Sequence, residues 1–168
     1  MNRISDQHLN RLAKKIGQQL TQKAWQLAVA ESCTGGWVAK LITDIEGSSA
    51  WFDRGFVTYS NAAKQSMLAV SGSILEQYGA VSKETVQAMA KGALTYSNAQ
   101  ITLAISGIAG PTGGTVEKPV GTVYFAWISQ GQNGQIERHC FSGGRDSIRR
   151  QATQHALETL GTYIKHFS

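Results

Sequence analysis

Short apolar segments that end in small polar turns and lead into amphipathic helices constrain the fold of this chain more than any other feature. Leu27-Ala28-Val29-Ala30 stops at the turn Glu31-Ser32-Cys33-Thr34-Gly35-Gly36, and a helical apolar stripe resumes at Trp37. A second unit of the same kind has a strand over 55–59 and a helix through Met67. Repeated strand–helix units of this type build parallel sheets that helices cover.

The remaining segments extend this pattern into a mixed sheet. Residues 107–119 are rich in Gly, Pro and Thr and are predicted to form a loop. The last two strands are predicted to pair antiparallel, with the second at a sheet edge. We therefore predict a single α/β domain over 1–168, a three-layer α/β/α sandwich with a mixed, mostly parallel sheet. The further predicted elements are helices over 5–23, 82–96 (with Ser82 as N-cap) and 146–164, and strands over 101–105, 122–128 and 136–141.

The charge of the chain favours a small anionic ligand. Sixteen Lys and Arg residues against eleven Asp and Glu residues give a net charge of +5, and a basic surface attracts anions such as a phosphate ester. The basic residues are scattered rather than interleaved with aromatic residues, so nucleic-acid binding is not expected. The two cysteines form no disulfide framework, and no signal peptide or membrane-spanning stretch is recognisable. We therefore expect a cytoplasmic protein that binds no membrane.

Ser32 is the first candidate for catalysis, because it lies in the turn between the first strand and the following helix. The carboxyl ends of parallel strands form the usual ligand-binding edge of an α/β sheet. Unpaired N–H groups at the start of the helix, near Cys33, Thr34, Gly35 and Gly36, are expected to bind a phosphate or a developing oxyanion. A side chain that merely caps the helix explains the same position, so both interpretations stay open.

Lys64 is the second candidate, since it lies in the first turns of the helix that follows Tyr59-Ser60-Asn61. The start of a helix disfavours a cation, and together with partial burial it lowers the pKa of a lysine. A neutral lysine can accept the proton of a serine hydroxyl. Tyr59 could orient the lysine or relay a proton, and Asn61 is a candidate for substrate binding. The alternatives are a solvated lysine and a half-buried tyrosine at a strand end.

Two further segments bring polar groups to the same edge of the predicted sheet. Ser106 and Gly107 directly follow the strand over 101–105 and are candidates for substrate contacts, although an ordinary turn explains them as well. Arg145 lies where a strand leads into the last helix, a position from which it can pair with an anionic group. Arg149, one turn further along that helix, is the alternative contact, although Arg149 and Arg150 could equally form the solvated face of the helix.

Cys33 is a rival nucleophile, because it neighbours Ser32 in the same turn. A thiolate at the start of a helix would be stabilised and reactive, but no histidine is evidently placed to act as its base. His139 and Cys140 are adjacent on a strand and point to opposite faces, so they cannot jointly bind one metal ion. The sequence has no zinc-binding signature, and neither a metal nor a cofactor is expected.

Four motifs, taken together and in order, resemble one known family. The set resembles the CinA C-terminal domain family over nearly the whole chain, in the form without the larger N-terminal domain to which this module is often fused. The motifs are Ala30-Glu31-Ser32-Cys33-Thr34-Gly35-Gly36, Tyr59-Ser60-Asn61 with Lys64, Ser106-Gly107-Ile108-Ala109-Gly110-Pro111, and Lys118-Pro119-Val120-Gly121-Thr122-Val123.

The resemblance implies a nicotinamide-nucleotide amidase, which hydrolyses nicotinamide mononucleotide to nicotinate mononucleotide and ammonia in pyridine-nucleotide salvage. It also implies Ser32 as nucleophile, Lys64 as base and Tyr59 as an assisting residue, with Arg145 matched less closely to a functional arginine. One alternative is the same chemistry on a different small amide. Another is a non-catalytic nucleotide-binding module associated with competence or DNA-damage proteins. The amphipathic first helix and the four tryptophans suggest a homodimer.

Overall fold

A five-stranded sheet with helices on both faces forms the protein. The structure is a computed structural model and describes residues 4–167. The strands are β1 (Leu27–Glu31), β2 (Phe52–Val57), β3 (Ile101–Gly107), β4 (Thr122–Ser129) and β5 (Gln135–Cys140). The helices are α1 (Asp6–Lys23), α2 (Trp37–Thr43), α3 (Asn61–Leu68), α4 (Gly72–Tyr78), α5 (Lys83–Thr95) and α6 (Arg145–Lys165), with a short 3-10 helix at Ser48–Ala50.

The sheet combines a parallel and an antiparallel half. The strand order is β2-β1-β3-β4-β5; β1 pairs in parallel with β2 and β3, whereas β4 pairs antiparallel with β3 and β5. Four strands therefore run in one direction and β4 runs against them. The predicted three-layer α/β/α arrangement with a mixed sheet is confirmed, and β5 lies at the predicted edge.

Two hydrophobic layers enclose the sheet, and β1 contributes to both. Val29 packs into the layer formed with α1, α2 and α6, while Ala30 packs into the layer formed with α3, α4 and α5. Every residue of β1 is buried. A strand covered on both faces has a continuous apolar sequence rather than an alternating one, which explains the short uninterrupted run that the sequence shows here.

The order of the strands places a crevice at the ends of β1 and β3. From β1 the chain passes through α2 to β2 on one side, and α3, α4 and α5 then lead back across to β3 on the other side. Neighbouring strands whose connections leave in opposite directions form a topological switch point, which is where α/β proteins bind ligands. Ser32 follows β1 and Ser106 lies near the end of β3, so both belong to this crevice.

Most predicted elements are present, with two differences. Ser82 caps α5 as predicted, because its hydroxyl accepts a hydrogen bond from the Thr85 N–H. The helix α4 was not predicted; its cap is Ser71, whose hydroxyl accepts from the Ile74 N–H at 3.3 Å. β2 begins at Phe52 rather than at residue 55, since its ladder with β1 starts at the pair Leu27 and Phe52. Ladder pairing set this boundary, not the apolar pattern.

A glycine on α5 allows α3 to pack closely against it. A Cβ atom added at Gly92 would lie 2.1 Å from the carbonyl oxygen of Leu68, the last residue of α3. Only a residue without a side chain permits this approach of two backbones. The contact matters for the site because α3 also carries Lys64. None of the helices within residues 4–167 combines the length and apolar character that a bilayer crossing requires.

Candidate active site

Ser32 and Lys64, the pair on which the predicted chemistry depends, are in contact. Lys64 Nζ lies 3.0 Å from Ser32 Oγ, and it also donates a hydrogen bond to the Thr58 carbonyl at 2.9 Å. Ser32 directly follows β1, and Lys64 lies in the first turn of α3, whose N-cap is Ser60. The ends of two neighbouring strands thus bring together residues that are 32 positions apart.

The Lys64 amine is almost completely removed from solvent. Lys64 is 1% exposed to solvent, and Ser32 is 8% exposed. No carboxylate in the described part of the chain forms an ion pair with Lys64. Because burial penalises the charged form, it lowers the pKa of Lys64 below its ordinary value. The arrangement favours a neutral amine beside a serine hydroxyl.

An open cavity of about 250 Å³ surrounds the pair. Most of the candidate residues line this cavity, together with Ala80, Val81 and Ala109. Thr34, Gly35 and Gly36 do not line it. The candidates that do are Ser32, Cys33, Tyr59, Asn61, Lys64, Ser106, Gly107 and Arg145.

Glu31 takes the hydrogen bonds that were expected to be free for a ligand. Its buried carboxylate accepts from the Thr34 hydroxyl at 2.6 Å and from the Gly36 N–H at 3.2 Å. It also accepts from the N–H groups of Val38 and Ala39, at 3.1 and 2.9 Å. The expectation of unpaired N–H groups in this turn and at the start of α2 was therefore wrong for Gly36, Val38 and Ala39. A carboxylate at the positive end of a helix is itself a stabilising arrangement.

Only part of the Ser32 turn remains available to an oxyanion. The Gly35 N–H donates to the Ser32 carbonyl at 3.0 Å, so both glycines of the turn use their N–H groups internally. Within residues 4–167, the N–H groups of Cys33 and Thr34 donate to no backbone carbonyl, and the Cys33 N–H interacts with its own thiol. Of these two residues, Cys33 lines the cavity, and its N–H group is the donor nearest in sequence to the Ser32 hydroxyl.

Arg149 holds the same turn from outside the cavity. Its guanidinium donates to the carbonyl of Cys33 at 3.0 Å and to that of Thr34 at 2.9 Å, and it lies 5.2 Å from the Trp37 ring centroid. Through these contacts Arg149 supports the turn, and it does not line the cavity. From the sequence, Arg149 was either the alternative ligand contact or part of the solvated face of the helix, because its partners are backbone carbonyls that no motif reveals.

Arg145 and Tyr59 form the rim of the cavity. The Arg145 guanidinium donates to the Gly110 carbonyl at 2.7 Å and to the Tyr59 hydroxyl at 3.0 Å. Tyr59 is 61% exposed, and its hydroxyl contacts Arg145 rather than Ser32 or Lys64. Of the two arginines considered from the sequence, Arg145 is the one that reaches the cavity.

Ser106 supports another part of the cavity wall. Its side chain is 1% exposed, and its hydroxyl donates to the Ala80 carbonyl at 2.7 Å. Ala80 and Val81, which precede α5, line the cavity. Ser106 therefore joins the end of β3 to the segment before α5, a link that the sequence alone did not indicate.

The environment of Cys33 argues against a thiolate nucleophile. Burial, followed by the nearby Glu31 carboxylate, raises the pKa of the Cys33 thiol to about 12. The thiol is therefore protonated at neutral pH and poorly nucleophilic, since the thiolate is the reactive form. The helix N-terminus, which was expected to stabilise a thiolate, is already neutralised by Glu31.

Fold and site define an α/β protein with a buried serine–lysine pair in an open cavity at the switch point of its sheet. The family model described as the CinA C-terminal domain matches residues 9–164. The chain belongs to this family, as the four sequence motifs indicated.

Relatives and solved structures of high similarity agree with this membership. The nicotinamide-nucleotide amidohydrolase PncC of Escherichia coli strain K12 is 55% identical over 157 residues, which are 94% of this chain and 95% of that protein. The competence/damage inducible protein CihA from Agrobacterium tumefaciens is 42% identical with a TM-score of 0.87, covering 98% of this chain and 99% of that one. The competence damage-inducible protein A (ComA) from Klebsiella pneumoniae has a TM-score of 0.91 at 37% identity, covering 95% and 99%.

The two cysteines are expected to differ sharply in reactivity. Cys140 is exposed and Cys33 is buried with a raised pKa, so at about pH 8 a thiol reagent should modify one cysteine per native chain. Cys140→Ser should abolish this reaction, whereas unfolding should expose two thiols in the unmodified protein. Reagent absorbance measures both numbers, and rapid native modification of Cys33 would contradict the assignment.

Proposed function

We propose that this protein is a nicotinamide-nucleotide amidohydrolase, which converts nicotinamide mononucleotide and water to nicotinate mononucleotide and ammonia in pyridine-nucleotide salvage. Support comes from the Escherichia coli relative, which bears that name and is 55% identical over almost its whole length. The observation that carries the proposed mechanism is the 3.0 Å contact between Ser32 Oγ and Lys64 Nζ.

In the first half of the proposed reaction, neutral Lys64 accepts the Ser32 hydroxyl proton. Ser32 Oγ then attacks the carboxamide carbon and forms a tetrahedral intermediate. The hydrogen bond from Nζ to the Thr58 carbonyl holds the amine so that its lone pair can face the hydroxyl. A positioned base typically accelerates such a step about 10²- to 10⁴-fold.

The second half releases both products. Lys64 returns its proton to the departing nitrogen, the carbon–nitrogen bond breaks, and ammonia leaves an ester on Ser32. A water molecule gives a proton to Lys64 and attacks this ester, and Ser32 Oγ recovers the proton as the carboxylic acid departs. The Cys33 N–H is the donor proposed for the oxyanion in both halves; one such donor is worth about 3–4 kcal/mol.

Arg145 is proposed to bind the substrate phosphate. It lies at the rim of the cavity, where it lines the space near Ser32 and Lys64, and it is exposed. A guanidinium matches the geometry of a phosphate group. The Tyr59 hydroxyl accepts from Arg145, which leaves its own proton free for a substrate oxygen. We therefore assign Tyr59 to the substrate rather than to the lysine.

A non-catalytic nucleotide-binding module is the rival proposal. The similar proteins of known structure from Agrobacterium tumefaciens and Klebsiella pneumoniae are named for competence and damage induction, not for an enzyme activity. Such a module would need a cavity and an anion contact. It would have no use for a buried amine that lacks a carboxylate partner among residues 4–167. Burying an ionisable group in this way is costly, and it occurs preferentially where chemistry needs a shifted pKa.

The homodimer, the cytoplasmic location and the absence of nucleic-acid binding stay predictions. The first helix and half of the tryptophans, on which the dimer prediction rested, are used within one chain. The apolar face of α1 is buried, with Leu9, Ala13, Ile16 and Leu20 in the core shared with α6. Two of the four tryptophans, Trp51 and Trp127, are buried in the same core.

Removing either member of the pair should abolish most of the ammonia release from nicotinamide mononucleotide. We expect Ser32→Ala to lower kcat by about 10³-fold or more and Lys64→Met by about 10²- to 10⁴-fold. The control Lys91→Met removes an exposed lysine of α5 and should leave the rate within about twofold, as surface changes usually do.

Cys33→Ala separates the hydroxyl mechanism from a thiol mechanism. We expect this variant to stay within about tenfold of the original rate, because only packing against the core is lost. A loss as large as that of Ser32→Ala would contradict the serine mechanism. Near-original rates in Ser32→Ala or Lys64→Met would overturn the proposal, and nucleotide binding without turnover in the unmodified protein would favour the non-catalytic module.

The activity should rise with pH through the ionisation of Lys64. Only the neutral amine accepts a proton, so kcat/KM increases as pH rises through the pKa of this lysine. Because burial lowers that pKa, the midpoint of the rise should lie below the ordinary lysine value of 10.5. The profile of kcat/KM against pH, with Lys91→Met as the control, measures it. A midpoint at or above the ordinary value would contradict a neutral base.

Arg145→Gln should weaken binding in a phosphate-dependent way. Loss of a charge-assisted hydrogen bond should raise KM for nicotinamide mononucleotide by about 10- to 100-fold. With nicotinamide riboside, which lacks the phosphate, KM should change much less. Arg138→Gln, at an exposed arginine of β5, is the control. Equal effects of Arg145→Gln on both substrates would mean that Arg145 supports Tyr59 and the Gly110 carbonyl instead of binding the phosphate.

A further inference from the structure

A cluster of two histidines and one glutamate joins β5 to α6 outside the cavity. Glu137 and His139 are two residues apart on β5 and therefore share one face of the strand, and His155 approaches them from α6. The Nε2 atoms of both histidines lie 2.8 Å from Glu137 Oε2. One potential ligand atom from each of the three residues lies within 4.8 Å of the other two.

This cluster is distinct from the site of the proposed hydrolysis. None of its three residues lines the cavity at Ser32 and Lys64. It lies on the sheet face covered by α6, where the His155 ring packs 4.9 Å from that of Phe125. Its chemistry therefore has no evident part in the reaction at the carboxyl ends of β1 and β3.

We propose that Glu137, His139 and His155 bind one divalent transition-metal ion of the zinc class. Two imidazole nitrogens and one carboxylate oxygen form a ligand set that Zn²⁺ and Co²⁺ accept, usually with water in the fourth position. Ligand bonds of about 2.0–2.2 Å require the three atoms to surround a common point, and their mutual closeness allows this after small side-chain rotations.

The surroundings orient the three ligands. The Gln135 side-chain amide donates to Glu137 Oε1 at 2.6 Å, which leaves Oε2 directed at the histidines. The His139 ring stacks on Phe141, with centroids 5.7 Å apart. Supporting contacts of this kind commonly fix metal ligands and tune their affinity.

The histidine rings suit coordination better than they suit a shared positive charge. The centroids of the His139 and His155 rings are 4.0 Å apart, so two protonated imidazoles would repel each other. His139 is about 39% exposed and Glu137 about 27% exposed at their side chains, which leaves one side of the cluster open to an incoming ion.

A bound ion would attach the edge strand to the last helix. β5 pairs with a single neighbour, β4, and two of the three ligands lie on it. Because the ligands come from separate elements, 18 residues apart between Glu137 and His155, the ion binds the folded chain better than the unfolded one. Binding of this kind raises the unfolding temperature, by an amount that grows with the logarithm of ligand concentration divided by the dissociation constant.

The test begins with the full-length protein after removal of metals by a chelator and buffer exchange. Titration with CoCl₂ should give visible d–d absorption bands that saturate at one ion per chain, and ZnCl₂ should displace the cobalt. Calorimetry with ZnCl₂ should give the same stoichiometry, and Zn²⁺ should raise Tm. Glu137→Gln and His139→Gln, which change one ligand each, should weaken Zn²⁺ binding at least tenfold.

Two controls separate this site from ordinary surface ligands. His166→Gln changes an exposed histidine at the end of α6, and Cys140→Ser removes the exposed thiol of β5. Both should bind Zn²⁺ as the unmodified protein does, and circular dichroism verifies that each variant is folded. The proposal is overturned if the unmodified protein gives no cobalt bands and no change in Tm. In that case the cluster is only a carboxylate that accepts hydrogen bonds from two imidazoles. Equal Zn²⁺ affinity in Glu137→Gln and His139→Gln would overturn it as well.

Discussion

The burial of one amine beside one hydroxyl is the constraint on which the rest of the site depends. Lys64 is 1% exposed, and a charged ammonium group in such a place carries a desolvation cost of several kcal/mol. The fold supplies the Thr58 carbonyl and the Ser32 hydroxyl as its polar neighbours, and these satisfy a neutral amine. The lack of a side chain at Gly92 lets α3, which carries Lys64, lie close against α5.

Two charged side chains fix the turn that presents Ser32, and they act from opposite ends. The Glu31 carboxylate accepts hydrogen bonds from N–H groups of the turn and of α2. The Arg149 guanidinium donates hydrogen bonds to the carbonyls of Cys33 and Thr34. Hydrogen bonds to charged groups contribute about 1.5–3 kcal/mol each, so the turn has little freedom to relax. A nucleophile held in this way loses little entropy when it reacts. Burial and, after it, the same carboxylate raise the pKa of the Cys33 thiol and keep it protonated, which separates the two neighbouring candidate nucleophiles.

Sequence patterns predicted the elements well where one local rule decided them. The α5 cap at Ser82 followed from a residue type at a position, and the buried β1 followed from an apolar run bounded by a polar turn. The pattern failed where partners were distant. The start of β2 depended on its ladder with β1, and the short α4 has too few turns for a clear apolar period. The N–H groups of α2 were expected to be free because an isolated helix leaves them unpaired, yet Glu31 at the end of the preceding strand uses them.

By itself, the sequence determined the alternation of strands and helices, the α/β class and the residue types at each strand end, because apolar period and capping act over a few neighbouring residues. It also carried the motifs of the family. Tertiary structure alone decided which of these residues meet. Three sets of contacts join distant parts of the chain. They are the contact between Ser32 and Lys64, the different contacts of Arg145 and Arg149, and the contact of His155 with β5. Such contacts depend on how the crossover connections pack on the sheet and on which partner forms each hydrogen bond. Neither is encoded in a local sequence pattern.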